Sequence, residues 1–193
     1  MKKSTKLLTM LMSLMLTVLF MSGCAVSAYG AEMPEELKAV ANKAVSIATN
    51  YAKQLDGAWG DQHAAMIDSK EGGAFAEFES MRAALCGFMA ESDATYIYTL
   101  YPSGAVESAP FFLTVDGSEE ADDYGTENEW EAGFAAAWKG TPTAGDHVWK
   151  DEGDGALLLS AYAPVHDSKG NVVAVLGVDY PAPEADKYPD WIF

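Results

Sequence analysis

Arg82 is the only arginine in the chain, and lysine and arginine together number 12 against 29 aspartates and glutamates, a formal net charge of −17. Binding nucleic acid requires clustered basic side chains to neutralise phosphates, so that class of partner is excluded. Cysteine is nearly absent: Cys24 and Cys86 are the only two. Three histidines, His63, His147 and His166, are scattered without the His-x-x-x-His spacing of a zinc site. There is no Gly-x-Ser-x-Gly elbow and no glycine-rich phosphate loop. Ser160 and His166 stand six residues apart, about 20 Å along an extended strand, too far for a nucleophile and its base. These absences point away from an enzyme and from any cofactor. No internal repeat is present.

One long apolar run occurs, Leu7 to Met21, behind Lys2, Lys3 and Lys6. It is shorter than the roughly 20 residues that span a bilayer, and small residues follow it, so it reads as a secretory signal. Met21-Ser22-Gly23-Cys24 resembles a bacterial lipobox, with Met21 where leucine is usual. This reading makes 1–23 a lipoprotein-type signal, Cys24 the lipidated residue and 24–33 a tether; ordinary cleavage after Ala28 is the alternative. Removing 23 of the 193 residues leaves 170, enough for one domain. Nine basic residues then face 29 acidic ones, a net charge of about −20. Such a surface repels anionic headgroups, so membrane contact is expected only through the lipid on Cys24. The expected location is the cell envelope, lipid-anchored, or otherwise secreted or periplasmic. Cys86, beside Leu85 and Phe88, reads as a small buried hydrophobe.

From Pro34 the pattern is helical. Leu37, Val40, Ala41, Ala44, Val45, Ala48, Tyr51, Ala52 and Leu55 recur at three and four, behind Glu35 and Glu36 in the first turn. Residues 58–73, with Trp59 and His63, read as irregular. A second helix carries Phe75, Phe78, Met81, Leu85, Phe88 and Met89 on one face. Thr95 to Tyr101 is a strand closed by Pro102-Ser103-Gly104, and Pro110 to Asp116 is its antiparallel partner.

Eight acidic residues and no basic one then lie between Asp116 and Glu131. The run lacks the spacing of a calcium loop and reads as a solvated surface, with no metal expected. Thr126-Glu127-Asn128-Glu129 has the capping-box form and predicts a helix carrying Trp130, Phe134 and Trp138. A brief strand is expected at His147-Val148-Trp149. Leu157 to Val165 and Val172 to Tyr180 flank the turn cluster Asp167-Ser168-Lys169-Gly170-Asn171, a hairpin of two largely buried strands. Asp179 ends the second strand, where an ionised carboxylate is costly to bury without a partner. Residues 183–193 form a tail.

This order indicates an α+β fold: an antiparallel sheet of four to five strands, a long N-terminal helix on one face and a short helix in an inter-strand loop. Taken in order, Tyr96-Ile97-Tyr98-Thr99-Leu100, Phe112-Leu113-Thr114-Val115-Asp116, Asp123-Tyr124-Gly125, Ala136-Ala137-Trp138-Lys139-Gly140-Thr141-Pro142, Leu159-Ser160-Ala161-Tyr162-Ala163-Pro164-Val165 and Gly170 to Asp179 resemble the extracytoplasmic PAS-like sensor domains called Cache domains, of the PDC type. The resemblance covers about residues 35–180, within a single domain at 34–182. It implies a small-molecule ligand bound over the sheet. Members usually sit on histidine kinases, cyclases or chemoreceptors; here no output domain follows, so a membrane receptor or transporter partner, or a binding-protein role, is expected.

Strand alternation places Tyr96, Tyr98 and Leu100 on one face and Ile97, Thr99 and Tyr101 on the other, while Ser160 and Tyr162 share a face. The resemblance implies that Asp179 meets an amine-bearing ligand; capping a turn, or solvation at the strand end, is the alternative. It also implies an arginine for a ligand carboxylate in the amino-acid-binding subset, and this chain has none between its strands, so the ligand class stays open. Trp130 and Trp149 are candidates to close over a ligand, with Phe134 and Trp138 equally explicable as core. Tyr124, in the acidic loop, is a candidate lid. Two other readings compete: a ligand-free interaction module of the envelope, docking through the first helix or Trp191-Ile192-Phe193 and marked by a cavity filled by its own aromatics, and a hydrolase.

Overall fold

The computed structural model describes residues 32–193. The signal segment, Cys24 and all but the last two residues of the expected tether lie outside them. Four helices, α1 (Glu35–Leu55), α2 (Ala58–Ser69), α3 (Phe78–Glu91) and α4 (Ala132–Trp138), accompany six strands: β1 (Tyr96–Pro102), β2 (Phe111–Asp116), β3 (Glu127–Asn128), β4 (Thr143–Lys150), β5 (Leu157–His166) and β6 (Val172–Pro181). The strands form one antiparallel sheet in the order β3-β2-β1-β6-β5-β4. The first strand therefore pairs with the last, and the hairpin β5–β6 lies at the centre. This is the PAS-like α+β architecture that the resemblance implies, with six strands where four to five are expected.

Helices α1, α2 and α3 cover one face. The stripe Ala41, Ala44, Ala48 and Ala52 lets α1 lie close on the hairpin, and Leu55, Met66, Met81, Leu85, Ile97, Val115, Leu176 and Val178 complete that core. A second cluster joins Met33 and Leu37 to Val148, Leu159 and Trp191. Against the other face α4 packs Phe134 and Ala137 on Leu100, Phe111, Leu113, Tyr162 and Val175. Helix α4 is only seven residues long and leaves the end of the sheet near Asp179 uncovered. Among the described residues no helix is long and apolar enough to cross a membrane.

Three local expectations are corrected. Residues 58–69 are not irregular but form α2, whose Gly60, His63 and Met66 are buried. The apolar signal is thin because Gly60 supplies contact through its missing side chain: a Cβ there would stand 2.2 Å from the His166 carbonyl oxygen. The capping box does not open a helix. Glu127 and Asn128 instead pair with Phe112 and Phe111 as β3, and α4 starts after an extended Glu131 with no side-chain cap. There the chain meets the edge of β2, and pairing with it satisfies the backbone groups of both. The brief strand at 147–149 is an eight-residue edge strand, which Phe193 covers by donating its N–H to the Val148 carbonyl at 2.9 Å. Cys86 is half-buried, its Sγ 3.1 Å from the Gly117 carbonyl oxygen.

Candidate functional site

On the face shared with α4, β1 presents Tyr96 and Tyr98, β6 presents Asp179, and β5 presents Ser160 and Tyr162. Asp179 is the register partner of Tyr96 on one side and Ser160 on the other. Gly177, two residues earlier, pairs with both Tyr98 and Tyr162; a Cβ there would lie 2.3 Å from the Tyr98 ring, so the glycine makes room for that ring. These residues floor a cavity of about 500 Å³, whose walls are Trp149, His147 and Asp151 from β4 and beyond, Phe134 and Glu131 at α4, and the acidic loop. That volume lies in the range of small-molecule sites.

Asp179 is 4% exposed. Its Oδ1 accepts hydrogen bonds from the Ser160 hydroxyl at 2.6 Å and the Tyr98 hydroxyl at 3.2 Å. The Trp149 indole N–H donates to Ser160 Oγ at 3.0 Å, which leaves the serine O–H to donate its hydrogen bond to the aspartate. Burial nevertheless outweighs both bonds and pushes the carboxyl up to about 7. Burial also raises the hydroxyls of Tyr98 and Tyr162 well above their ordinary value. Tyr162 donates to Glu131 Oε2 at 3.0 Å, and burial raises the Glu131 carboxyl. At the mouth Tyr96 donates to Asp151 Oδ2 at 2.8 Å, a bond that raises the phenol to about 12, and its ring runs nearly parallel to that of Trp149 at 6.5 Å.

The sign of the lining is uniform. Asp116, Glu120, Asp122, Glu129, Glu131, Asp151 and Asp179 contribute seven carboxylates, and no lysine or arginine joins them. Arg82 is spent on the acidic loop, donating to the Asp116 and Ser118 carbonyls at 3.3 and 2.7 Å. Among the described residues no three histidines, cysteines or carboxylates gather as a metal site.

Of the residues singled out in the sequence, Asp179, Tyr98, Tyr96, Ser160, Tyr162 and Trp149 converge here. Tyr124 does not: it is half-buried against the helical-face core, its ring over Gly72, and burial raises its hydroxyl to about 12. Trp130 is not part of the lining either. Without the extra helical turn it lies outside, 40% exposed, donating to the Val106 carbonyl. Glu131, Asp151 and His147 were not singled out. Their one local signal is position: each stands two residues or fewer from a helix start or from Trp149.

No protein-family model matches the chain, and no curated protein does. Solved structures similar to it include the E. coli DcuS sensor domain, at 15% identity over 81% of this chain and 99% of that one, TM-score 0.48. The periplasmic sensory domain of the Campylobacter jejuni chemoreceptor Tlp1 matches at 14% identity over 79% of this chain, TM-score 0.37, and the Tlp3 ligand-binding domain in complex with L-valine at 12% over 80%, TM-score 0.38. This chain spans 64% and 66% of those two Campylobacter domains.

Proposed function

We propose that this chain is an extracytoplasmic, sensor-type domain that binds a small molecule in the cavity floored by Asp179, acting as a binding protein or together with a membrane receptor or transporter. In this reading 1–23 is removed, Cys24 carries the lipid, and the domain at 34–182 stands off the membrane on its tether. The observation that carries it is a buried carboxylate held in one orientation by Ser160 and Tyr98 at the wall of an open cavity. Burying a carboxylate is costly, and a site that keeps one oriented toward open space is built for a ligand that interacts with it. A cavity filled by the protein's own aromatics would favour the interaction-module reading, and this one is open at about 500 Å³. Catalysis is not proposed, because the Ser160 hydroxyl is engaged with Asp179 while His166 faces Asp56 at 3.1 Å.

A thermal-shift screen of the purified protein against a metabolite library tests this. A bound compound raises the melting temperature by mass action, and Asp179→Ala or Tyr98→Ala removes the rise. A library without a hit, or a hit indifferent to both substitutions, overturns the assignment.

A further inference from the structure

The cavity has a second carboxylate held by a tyrosine: Asp179 is buried and Glu131 is half-buried. Asp179, on β6, takes both of its hydrogen bonds on Oδ1. Glu131, immediately before α4, takes its tyrosine on Oε2. Each thus accepts a hydrogen bond on one oxygen from a tyrosine of the cavity floor, Tyr98 half-buried and Tyr162 buried. The two tyrosines, Tyr98 and Tyr162, flank the same glycine, Gly177, so the two carboxylates share one aromatic platform, Asp179 at the Tyr98 hydroxyl and Glu131 at the Tyr162 hydroxyl.

The charge balance of this arrangement limits what can enter. An anionic or zwitterionic ligand would bring a carboxylate into a lining of seven others, with Arg82 already committed to backbone carbonyls. A hard metal ion needs several oxygens on one point, and among the described residues no such grouping exists. A single ammonium compensates one of these carboxylates and leaves the other without a charge partner in a partly desolvated site. Aromatic rings on the floor and wall favour organic cations, through ring faces as well as apolar contact.

We propose, resting on the cavity reading above, that this site selects an α,ω-diamine or a longer polyamine, with one ammonium on Asp179, the second on Glu131, and the methylene chain along Tyr98 and Tyr162. Charge number is then the basis of specificity, and Glu131 is the residue that counts the second charge.

The test is calorimetric titration of the purified protein, above neutral pH, with diamines from ethylenediamine to cadaverine, with n-butylamine, and with γ-aminobutyrate. At least one diamine is expected to bind tenfold or more tighter than n-butylamine, and γ-aminobutyrate is expected to give no binding heat. Glu131→Gln should remove that diamine's advantage over n-butylamine, bringing the two affinities together; Asp179→Asn should abolish binding of both. Far-ultraviolet circular dichroism confirms that each near-isosteric variant is folded. Equal affinity for mono- and diamine, or measurable binding of γ-aminobutyrate, overturns the proposal. If no amine binds while the library screen yields an Asp179-dependent hit of another charge type, the diamine inference fails and the cavity reading stands. If neither yields a ligand, both fail.

Discussion

Ser160 Oγ lies 2.6 Å from Asp179 Oδ1, and the two residues are direct register partners across β5 and β6. The orientation of the carboxylate is therefore a property of the sheet register. A slip of one residue would turn Asp179 toward the α1 face and put Val178 in the cavity. The extensive pairing of these two strands, from Leu158–Pro181 to His166–Val172, keeps the register and so keeps the site.

Asp179 makes the empty protein less stable as pH rises. Its folded value of about 7 stands above the ordinary 3.8, so the folded state holds a proton that the unfolded state has lost between those limits. Stability from this group is complete below about pH 4 and is lost as pH climbs through 7. Asp179→Asn should remove that slope and be more stable than wild type at pH 8 by on the order of 2–4 kcal/mol, with little difference near pH 4. Urea denaturation across that range checks it; parallel curves would show that the carboxyl is ionised without penalty.

His63 produces the opposite slope. It is fully buried on the helical side, its Nε2 is 2.7 Å from Thr114 Oγ1, and burial lowers it from 6.5 to about 3. Below pH 6.5 the unfolded chain takes up a proton that the folded chain refuses, so stability falls as pH drops, by up to about 1.4 kcal/mol per unit. The stability difference between wild type and His63→Gln should therefore shrink from pH 7 to pH 4. A constant difference would mean that His63 protonates within the fold.

Gly177→Ala should damage both fold and site. The new methyl would stand 2.3 Å from the Tyr98 ring, which has to move and give up its bond to Asp179. Overpacking of this kind costs roughly 1–3 kcal/mol. Denaturation midpoints should fall accordingly, and any ligand found in the screen should bind at least tenfold more weakly. A stable variant with full affinity would show that the Tyr98 ring is not needed at that position.

Binding of a cation should depend on pH through Asp179. The cation favours the ionised carboxyl, so its affinity should level off above about pH 7 and fall toward tenfold per unit below it, with a proton released on binding. The groups around Asp179, namely Tyr96, Tyr98, Tyr162, Asp116, Asp151 and Glu131, include no base to reverse that sign. Calorimetry in buffers of different ionisation enthalpy reads the released proton; affinity constant between pH 6 and 8 would remove Asp179 as the charge partner.

Elements written in a contiguous pattern were legible without the fold. The alternation of Tyr96 and Tyr98 with Ile97 and Thr99, the Val-rich strand ending at Asp179, and the alanine stripe of α1 each depend on neighbours two to four residues away. Residues 58–69 and 126–131 were not. Helix α2 packs by the absence of a side chain at Gly60, and Thr126-Glu127-Asn128 obeys the strand it meets, β2, rather than its own capping preference. Trp130 left the candidate site with that change, and Glu131 entered it.

The amino-acid composition set the sign of the site, since 12 basic residues against 29 acidic ones leave few cations with which to line a cavity for anions. The sequence also determined that Asp179 sits among apolar neighbours and needs a partner. Which partners those are depends on the fold. Tyr98 lies 81 residues away from Asp179 in the chain, and Glu131 reaches the cavity from a loop on the far side of the sheet order. Hydrogen bonds form over about 3 Å, and contacts at that range between distant segments exist only once strand order and register have been set.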